Sequence, residues 1–182
     1  MNKKVKIVLG VFLGIVIVLF LLVRFGGGVG SWKGSSFQRY RNRAYIGSAY
    51  FTIRELPKGA KDFKFQCYDY GLVASSYAGF TLSGNDYNDF VASVSEFDEP
   101  SELAKEKFIG KKVSDTYNYY NDDGFSGYTG FPKKNVRYAA EGDIGDYTIL
   151  YYNAYRGHNI RVGAVLVNPG KGRFIVYYET SN

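Results

Sequence analysis

Few side chains of this 182-residue chain are suited to act as a catalytic nucleophile or base. His158 is the one histidine and stands between Gly157 and Asn159, in a predicted hairpin turn. Catalysis by a Ser-His or Cys-His pair requires a histidine held beside the nucleophile, whereas a histidine exposed in a turn is normally solvated. Cys67, the one cysteine, falls on the apolar face of a predicted strand, where we expect a small core residue. The sequence therefore predicts no nucleophilic active site.

Two oxygen-rich turns, residues 121–124 and 141–146, are of the composition that binds calcium. An EF-hand loop has oxygen ligands at positions 1, 3 and 5, glycine at position 6 and glutamate at position 12. With Gly124 at the sixth position, Tyr119 is first and Gly130 twelfth, so the motif fails and an irregular calcium site stays open. A single cysteine excludes a zinc site built from cysteines, and no phosphate-binding loop is present. We predict no cofactor and no metal.

Three carboxylates lie close together in the sequence, Glu141, Asp143 and Asp146. Paired carboxylates can hydrolyse a glycosidic bond, which is attractive chemistry beside a cell wall. Acidic residues in turns and at helix starts are usually explained by capping and solvation instead. The pattern favours a non-catalytic domain and leaves a small envelope hydrolase that uses these carboxylates as an alternative.

Aromatic side chains are unusually frequent, with 18 tyrosines and 14 phenylalanines. Most of the tyrosines fall in predicted strands, where sheet packing explains them. Residues 111–134 are irregular and predict a long surface loop, and such loops often bind something. Tyrosine combines an apolar ring with a hydrogen-bonding hydroxyl, which suits protein and sugar surfaces. We therefore predict that a protein or a cell-envelope glycan contacts the loop through four tyrosines: Tyr117, Tyr119, Tyr120 and Tyr128.

The elements that would position these residues follow an apolar amino-terminal segment. Residues 7–23 carry no charge and are flanked by three lysines and by Arg24. As a helix, these 17 residues cover roughly 25 Å, close to the hydrocarbon thickness of a bilayer. A signal peptide has a shorter apolar region and a cleavage site of small residues. We predict that residues 1–25 form an uncleaved single-pass anchor in the lipid bilayer, with a removed signal peptide as the alternative.

Gly10 and Gly14 form a small-xxx-small pair that allows two membrane helices to approach closely. A structural subunit of a membrane complex is therefore a further hypothesis, and the oligomeric state is open.

The orientation in the membrane is predicted from the distribution of charge. Positive charge is denser before the apolar segment than directly after it, and long carboxyl-terminal domains translocate largely regardless of charge. We predict a cytoplasmic amino terminus and an extracytoplasmic domain, with a cytoplasmic domain as the alternative.

The net charge of +6 is concentrated at the amino terminus. Residues 1–43 hold eight of the 23 basic residues and no acidic one, whereas residues 44–182 hold 15 basic and 17 acidic residues. Nucleic-acid binding requires a basic face without such an acidic counterweight, so we predict no nucleic-acid partner. The glycine-rich and basic residues 26–43 predict a flexible juxtamembrane linker.

Residues 44–182 are enough for one domain with its own core. Helical periodicity predicts one helix after Ser83 and a shorter one that ends at Ile109 before Gly110. Alternating or β-branched segments predict strands over 49–56, 63–70 and 72–82, and a meander over 136–140, 146–155, 160–167 and 173–180. The predicted fold class is α+β: a transmembrane helix and then one small domain with an antiparallel meander sheet and two packed helices.

Overall fold

One antiparallel sheet of six strands organises the domain in this computed structural model. The strands are β1 (Val29–Gly34), β2 (Lys61–Tyr70), β3 (Val73–Thr81), β4 (Thr148–Arg156), β5 (Ile160–Asn168) and β6 (Arg173–Ser181). Their order across the sheet is β1-β2-β3-β6-β5-β4, so β1 and β4 are its edges. The structure describes residues 10, 12–18, 29–43, 53, 55–70, 73–97, 99–100, 102–116, 137–156 and 160–181.

In the described residues from Val29 onward, four short helices accompany the sheet: α1 (Phe37–Arg43), α2 (Gly84–Val94), α3 (Glu102–Lys107) and α4 (Arg137–Ala140). Three 3₁₀ turns are added at Val113–Thr116, Ile144–Asp146 and Pro169–Lys171. The predicted α+β class is therefore confirmed, as is the meander of β4, β5 and β6. Both predicted helices are present as α2 and α3, and Gly110 follows the second of them with a left-handed φ of 80°.

Both faces of the sheet are buried at β5, which explains why residues 162–167 of this strand are all apolar. On one face Val165 and Val167 pack with the core under α1 and α2. On the other face Ala164 and Leu166 pack with Phe108, which follows α3. The rings of Phe108 and Tyr152 are stacked there, with centroids 4.2 Å apart. The domain thus has three layers, with helices on either side of the sheet.

The predicted flexible linker, residues 26–43, is instead part of the fold from Val29 onward. β1 pairs with β2 in antiparallel register, Trp32 opposite Cys67. A glycine-rich strand is possible here because Trp32 and Phe65 fill the space that side chains at Gly30 and Gly34 would occupy: an added Cβ would lie 3.2 Å and 2.9 Å from their rings. α1 then folds back over β2 and buries Tyr40, which is 1% exposed.

Residues 136–140 are not the predicted strand. Residues 137–140 form α4, and the side chains of Ala139 and Ala140 are fully buried. Alanine favours helix over strand, and α4 lies so close to β3 that a Cβ at Gly79 would be 2.2 Å from the Ala139 carbonyl oxygen. The predicted strand 49–56 falls mostly outside the described residues, and Ile53, Glu55 and Leu56 are not in a strand.

The described part of the amino terminus is helical at residues 10 and 12–18. The rest of the predicted anchor lies outside the described residues. Among those that are described, no helix has the length and apolar character needed to cross a membrane.

Candidate functional site

Glu141, the first of the three candidate carboxylates, is engaged in ion pairs. Lys64 pairs with its carboxylate, and an Arg173 Nη2 lies 3.8 Å from the same oxygen. The hydrogen bond from Lys64 and the charge of Arg173 hold the pKa of this carboxyl below its ordinary value. A carboxyl kept ionised in this way is poorly suited to act as a general acid.

Glu141 has a structural role beside the buried side chain of Arg173. The Arg173 side chain is 1% exposed and lies between β6 and α4. Nε and Nη2 both donate to the carbonyl of Ala139, at 3.1 and 2.7 Å, and Nη1 donates to the carbonyl of Asp62 at 2.7 Å. The guanidinium therefore holds α4 on the sheet, and Glu141 supplies its counter-charge.

The other two candidate carboxylates are separate from this network. Asp143 accepts a hydrogen bond of 2.8 Å from the backbone N–H of Gly145 and so caps the following 3₁₀ turn. Asp146 is exposed. Two of the three residues proposed for a hydrolase thus have structural partners. Within the described ranges, no three His, Cys, Asp or Glu side chains are grouped so that they would hold a metal ion.

Sequence reasoning missed one unusual carboxyl, Glu179 in β6. It is 9% exposed and accepts a hydrogen bond of 2.7 Å from the hydroxyl of Tyr177. Burial raises its pKa, although the bond from Tyr177 opposes the rise. The rings of Tyr77 and Tyr177 stack beside it, with centroids 4.9 Å apart. The alternation of side chains in β6 predicts that Tyr177 and Glu179 share one face of the sheet. That this face is buried is visible only in the structure, where other elements pack over it.

Cys67 is a core residue, as predicted. It is 3% exposed, and burial raises the pKa of its thiol to about 12. A thiol in this environment is not a nucleophile at neutral pH.

An apolar groove of about 430 Å³ opens between α2 and β4, and we call it the Phe97 groove. Its lining residues are Val91, Val94, Ser95, Phe97, Glu99, Pro100, Leu150 and Tyr151. Phe97 is 38% exposed and packs edge-to-face on Tyr151, with ring centroids 5.4 Å apart. The groove therefore presents a large apolar side chain to solvent.

The segment that contributes most of the Phe97 groove has an acidic composition. Residues 83–107, which include α2 and α3, contain seven acidic residues and two lysines. One of these lysines, Lys105, is paired with Glu99 and Glu102 at 2.8 Å each. The pairing raises the pKa of Lys105 and lowers that of Glu99. The segment therefore has five more acidic than basic residues, distributed over both faces of the sheet, and Glu99 is the acidic residue that lines the groove.

A second groove, of about 370 Å³, lies at the opposite edge of the sheet. Its lining residues are Trp32, Lys33, Arg39, Asn42 and Phe65. Lys33 and Arg39 are exposed, as is Arg41, two residues further along α1. We call this region, formed by β1 and the outer surface of α1, the β1 edge. Sequence reasoning identified its basic charge and treated its backbone as a linker.

The remaining predicted site residues are only partly described. Tyr117, Tyr119, Tyr120, Tyr128 and His158 lie outside the described residues. Gly10 and Gly14 are helical, and a Cβ added to either would meet nothing within 4 Å. Glycines with open space around them leave a surface on which a second helix can pack.

Comparison with known proteins gives no relative: no family model, no curated protein and no solved structure matches the chain significantly. Function must therefore be inferred from the side chains themselves.

Proposed function

We propose that this protein is a single-pass, membrane-anchored binding domain that lies outside the cytoplasm, performs no catalysis and contacts a protein partner. The observation that carries the proposal is the Phe97 groove, which exposes an aromatic side chain in a segment of acidic composition. Apolar anchors in such grooves contribute most of the binding energy at protein interfaces, and surrounding charges select the partner. The partner is accordingly a segment with an apolar side chain flanked by basic residues.

The chemistry of the groove favours protein over glycan. Its floor is made of Val91, Val94, Leu150 and the edge of Tyr151. Sugar recognition requires several hydrogen-bonding groups beside an aromatic face, whereas aliphatic walls fit the side chains of Leu, Phe or Met. The tyrosine loop, from Tyr117 to Tyr128, is proposed as an additional contact, to which a protein or an envelope glycan binds.

The proposed anchor is supported by the helical residues near the amino terminus. Six large apolar side chains are between 44% and 64% exposed there: Phe12, Leu13, Ile15, Val16, Ile17 and Val18. A helix that exposes apolar side chains on all sides is unfavourable in water, but it is stable when lipid surrounds it. Together with the neutral residues 7–23, this favours a membrane location.

Cell fractionation tests the anchor and its orientation. We expect the full-length chain to stay with bacterial membranes after a high-salt and alkaline wash, because a spanning helix is released by neither. Protease added to intact spheroplasts should remove the carboxyl-terminal domain. Recovery of the chain in the aqueous fraction would contradict the anchor, and protection of the domain would contradict its orientation.

Crosslinking in intact cells tests the binding role. We expect a crosslinked partner whose attachment site maps to the rim of the Phe97 groove, on a segment with a basic residue beside an apolar one. Phe97→Ala should reduce the crosslinked product about tenfold or more, as expected for a central apolar anchor. The matched control is Tyr138→Ala, since Tyr138 is an exposed aromatic of similar size, 36% exposed, on α4. Equal loss in both variants, or none in either, would contradict the proposal.

The tyrosine loop is tested separately with the double variant Tyr119→Ala and Tyr120→Ala. We expect weaker retention of the partner or of envelope material, because two amphipathic rings are removed, while the thermal unfolding curve is unchanged. Unaltered retention would exclude the loop and leave the Phe97 groove as the binding surface.

A further inference from the structure

The β1 edge has a composition unlike that of the rest of the domain. Residues 29–43 contain Lys33, Arg39, Arg41 and Arg43 and no acidic residue. In the described structure the first three of these side chains are exposed. On α1, Phe37 and Tyr40 contact the rings of Phe63 and Phe65, so the two exposed arginines lie outside the face of the helix that packs on the sheet.

Two features beneath the charges complete the surface. The one tryptophan of the chain, Trp32, lies half-buried in β1 beside this groove. Lys33 follows Trp32 in the strand and so lies on the opposite face, where its Nζ is 5.5 Å from the centroid of the Tyr138 ring. Basic side chains together with an indole are the combination found at the boundary between a membrane and water.

The short segment between the predicted membrane span and β1 limits how far the β1 edge can lie from the bilayer. Five residues, 24–28, separate the end of the predicted span from Val29 at the start of β1. Fully extended, five residues reach at most about 18 Å. The headgroup layer takes up roughly 6 Å of that distance, so Val29, the first residue of β1, stays within roughly 12 Å of the headgroups. Electrostatic attraction is effective over about 8 to 10 Å at physiological salt.

We propose that the β1 edge docks on anionic lipid headgroups, with Lys33, Arg39 and Arg41 facing the lipid phosphates and Trp32 at the boundary. The inference rests on the membrane anchor of the proposed function. Docking fixes the orientation of the domain: β1 faces the bilayer and β4, with the Phe97 groove, faces away from it. The ordered strand and helix fix the basic side chains on both sides of this edge, Lys33 on the face of α4 and the arginines on α1, which a flexible linker would not do.

The intrinsic fluorescence of Trp32 provides the test. The full-length chain is reconstituted into vesicles of phosphatidylcholine alone or mixed with phosphatidylglycerol, each with a trace of lipid spin-labelled on its headgroup. We expect quenching of Trp32 in the anionic vesicles, and its loss at high salt. The double variant Lys33→Glu and Arg39→Glu should lower the apparent affinity for the anionic surface about tenfold or more, since each basic residue contributes roughly fivefold.

A matched control has the same change of charge away from the β1 edge. Lys58→Glu with Lys112→Glu is suitable, because both lysines are exposed and Lys112 adjoins the opposite edge strand, β4. We expect this control to quench as the natural chain does, with both charge variants retaining its thermal unfolding midpoint.

The outcomes separate the two proposals. Equal quenching in neutral and anionic vesicles would overturn docking through charge, because proximity alone would then explain it. Absence of quenching in both, with the chain still floating with the vesicles, would overturn docking and leave the anchor standing. A chain that does not float with the vesicles would overturn the anchor.

Discussion

Glu179 is the residue whose ionisation most directly opposes folding. The ordinary pKa of its carboxyl is 4.5, and burial raises it in the folded protein. Between the two values the folded protein retains a proton that the unfolded chain has released. Stability therefore falls as the pH rises through this window, and below pH 4.5 the cost is absent. The hydroxyl of Tyr177, which donates to the carboxyl, offsets part of this cost.

We predict that Glu179→Gln stabilises the domain at neutral pH. The amide oxygen can still accept the bond from Tyr177, and no charge has to be buried. We expect a gain of about 1 kcal/mol, or a few degrees in Tm, measured by circular dichroism between pH 4 and pH 8. Acidic pH provides the control, because the stabilities of the variant and of the natural chain should become equal once Glu179 is protonated in both the folded and the unfolded state. A variant that is less stable than the natural chain at every pH would contradict this account.

Glu141 should show the opposite dependence on pH. Its pKa is lowered in the fold by Lys64 and by Arg173, so its contribution is present above pH 4.5 and is lost as the pH falls through the folded value. Glu141→Gln should destabilise the domain at neutral pH by about 1 kcal/mol, because the buried guanidinium of Arg173 then has no negative charge beside it. The effect is modest because Glu141 is partly exposed and solvent screens its charge. Denaturant titrations at several pH values provide the measurement. The difference from the natural chain should vanish in acid, and a constant difference would contradict the ion pair as its source.

At the scale of elements, the sequence predicts what local periodicity determines. In β2, Phe63 and Phe65 alternate with polar residues, and both are buried as expected. In α2, Tyr87 and Phe90 recur at a helical spacing and pack against Phe174 of β6. Each of these patterns is complete within about ten residues, so a single sequence is sufficient to recognise it.

What escaped prediction depends on partners that are distant in the chain. β1 resembles a linker because Gly30 and Gly34 have no side chains, and its role is visible only when Trp32 and Phe65 occupy the space. The Phe97 groove joins the end of α2 to Tyr151 of β4, which are far apart in sequence. Neither contact leaves a local period, so neither could be derived from composition or spacing.

The contact of α4 with β3 provides a test at this scale. Gly79→Ala should destabilise the domain by about 2 kcal/mol or more, because the new methyl group would collide with the backbone of Ala139 and with the Arg173 guanidinium. Gly170→Ala is the control, because the nearest contact of its new Cβ would be the Oδ1 of Asn168 at 3.5 Å, an ordinary van der Waals distance. Urea denaturation should separate the two variants. Equal stability would contradict the close approach of α4 to the sheet.

At the scale of the whole molecule, the two proposed binding surfaces lie toward opposite edges of the sheet. The β1 edge is basic, and the Phe97 groove, beside β4, belongs to a segment of acidic composition. Five strand spacings of about 4.8 Å separate β1 from β4, or about 24 Å. This distance exceeds two Debye lengths at physiological salt, so a ligand at one edge has little electrostatic influence on the other. The proposed docking on lipid and the proposed binding of a protein partner are therefore compatible with each other.

The short connection to the anchor should strengthen docking by raising the local concentration of the β1 edge at the headgroups. We predict that a flexible Gly-Ser insertion after Gly28 which makes the connection about eightfold longer lowers this concentration roughly 20-fold. The salt concentration that halves Trp32 quenching should then fall, while crosslinking to the Phe97 groove is unchanged. The same Gly-Ser segment added after Asn182 is the control and should alter neither quantity. An unchanged salt midpoint would show that the connection to the anchor does not assist docking, and a parallel loss of crosslinking would show that the two edges are not independent.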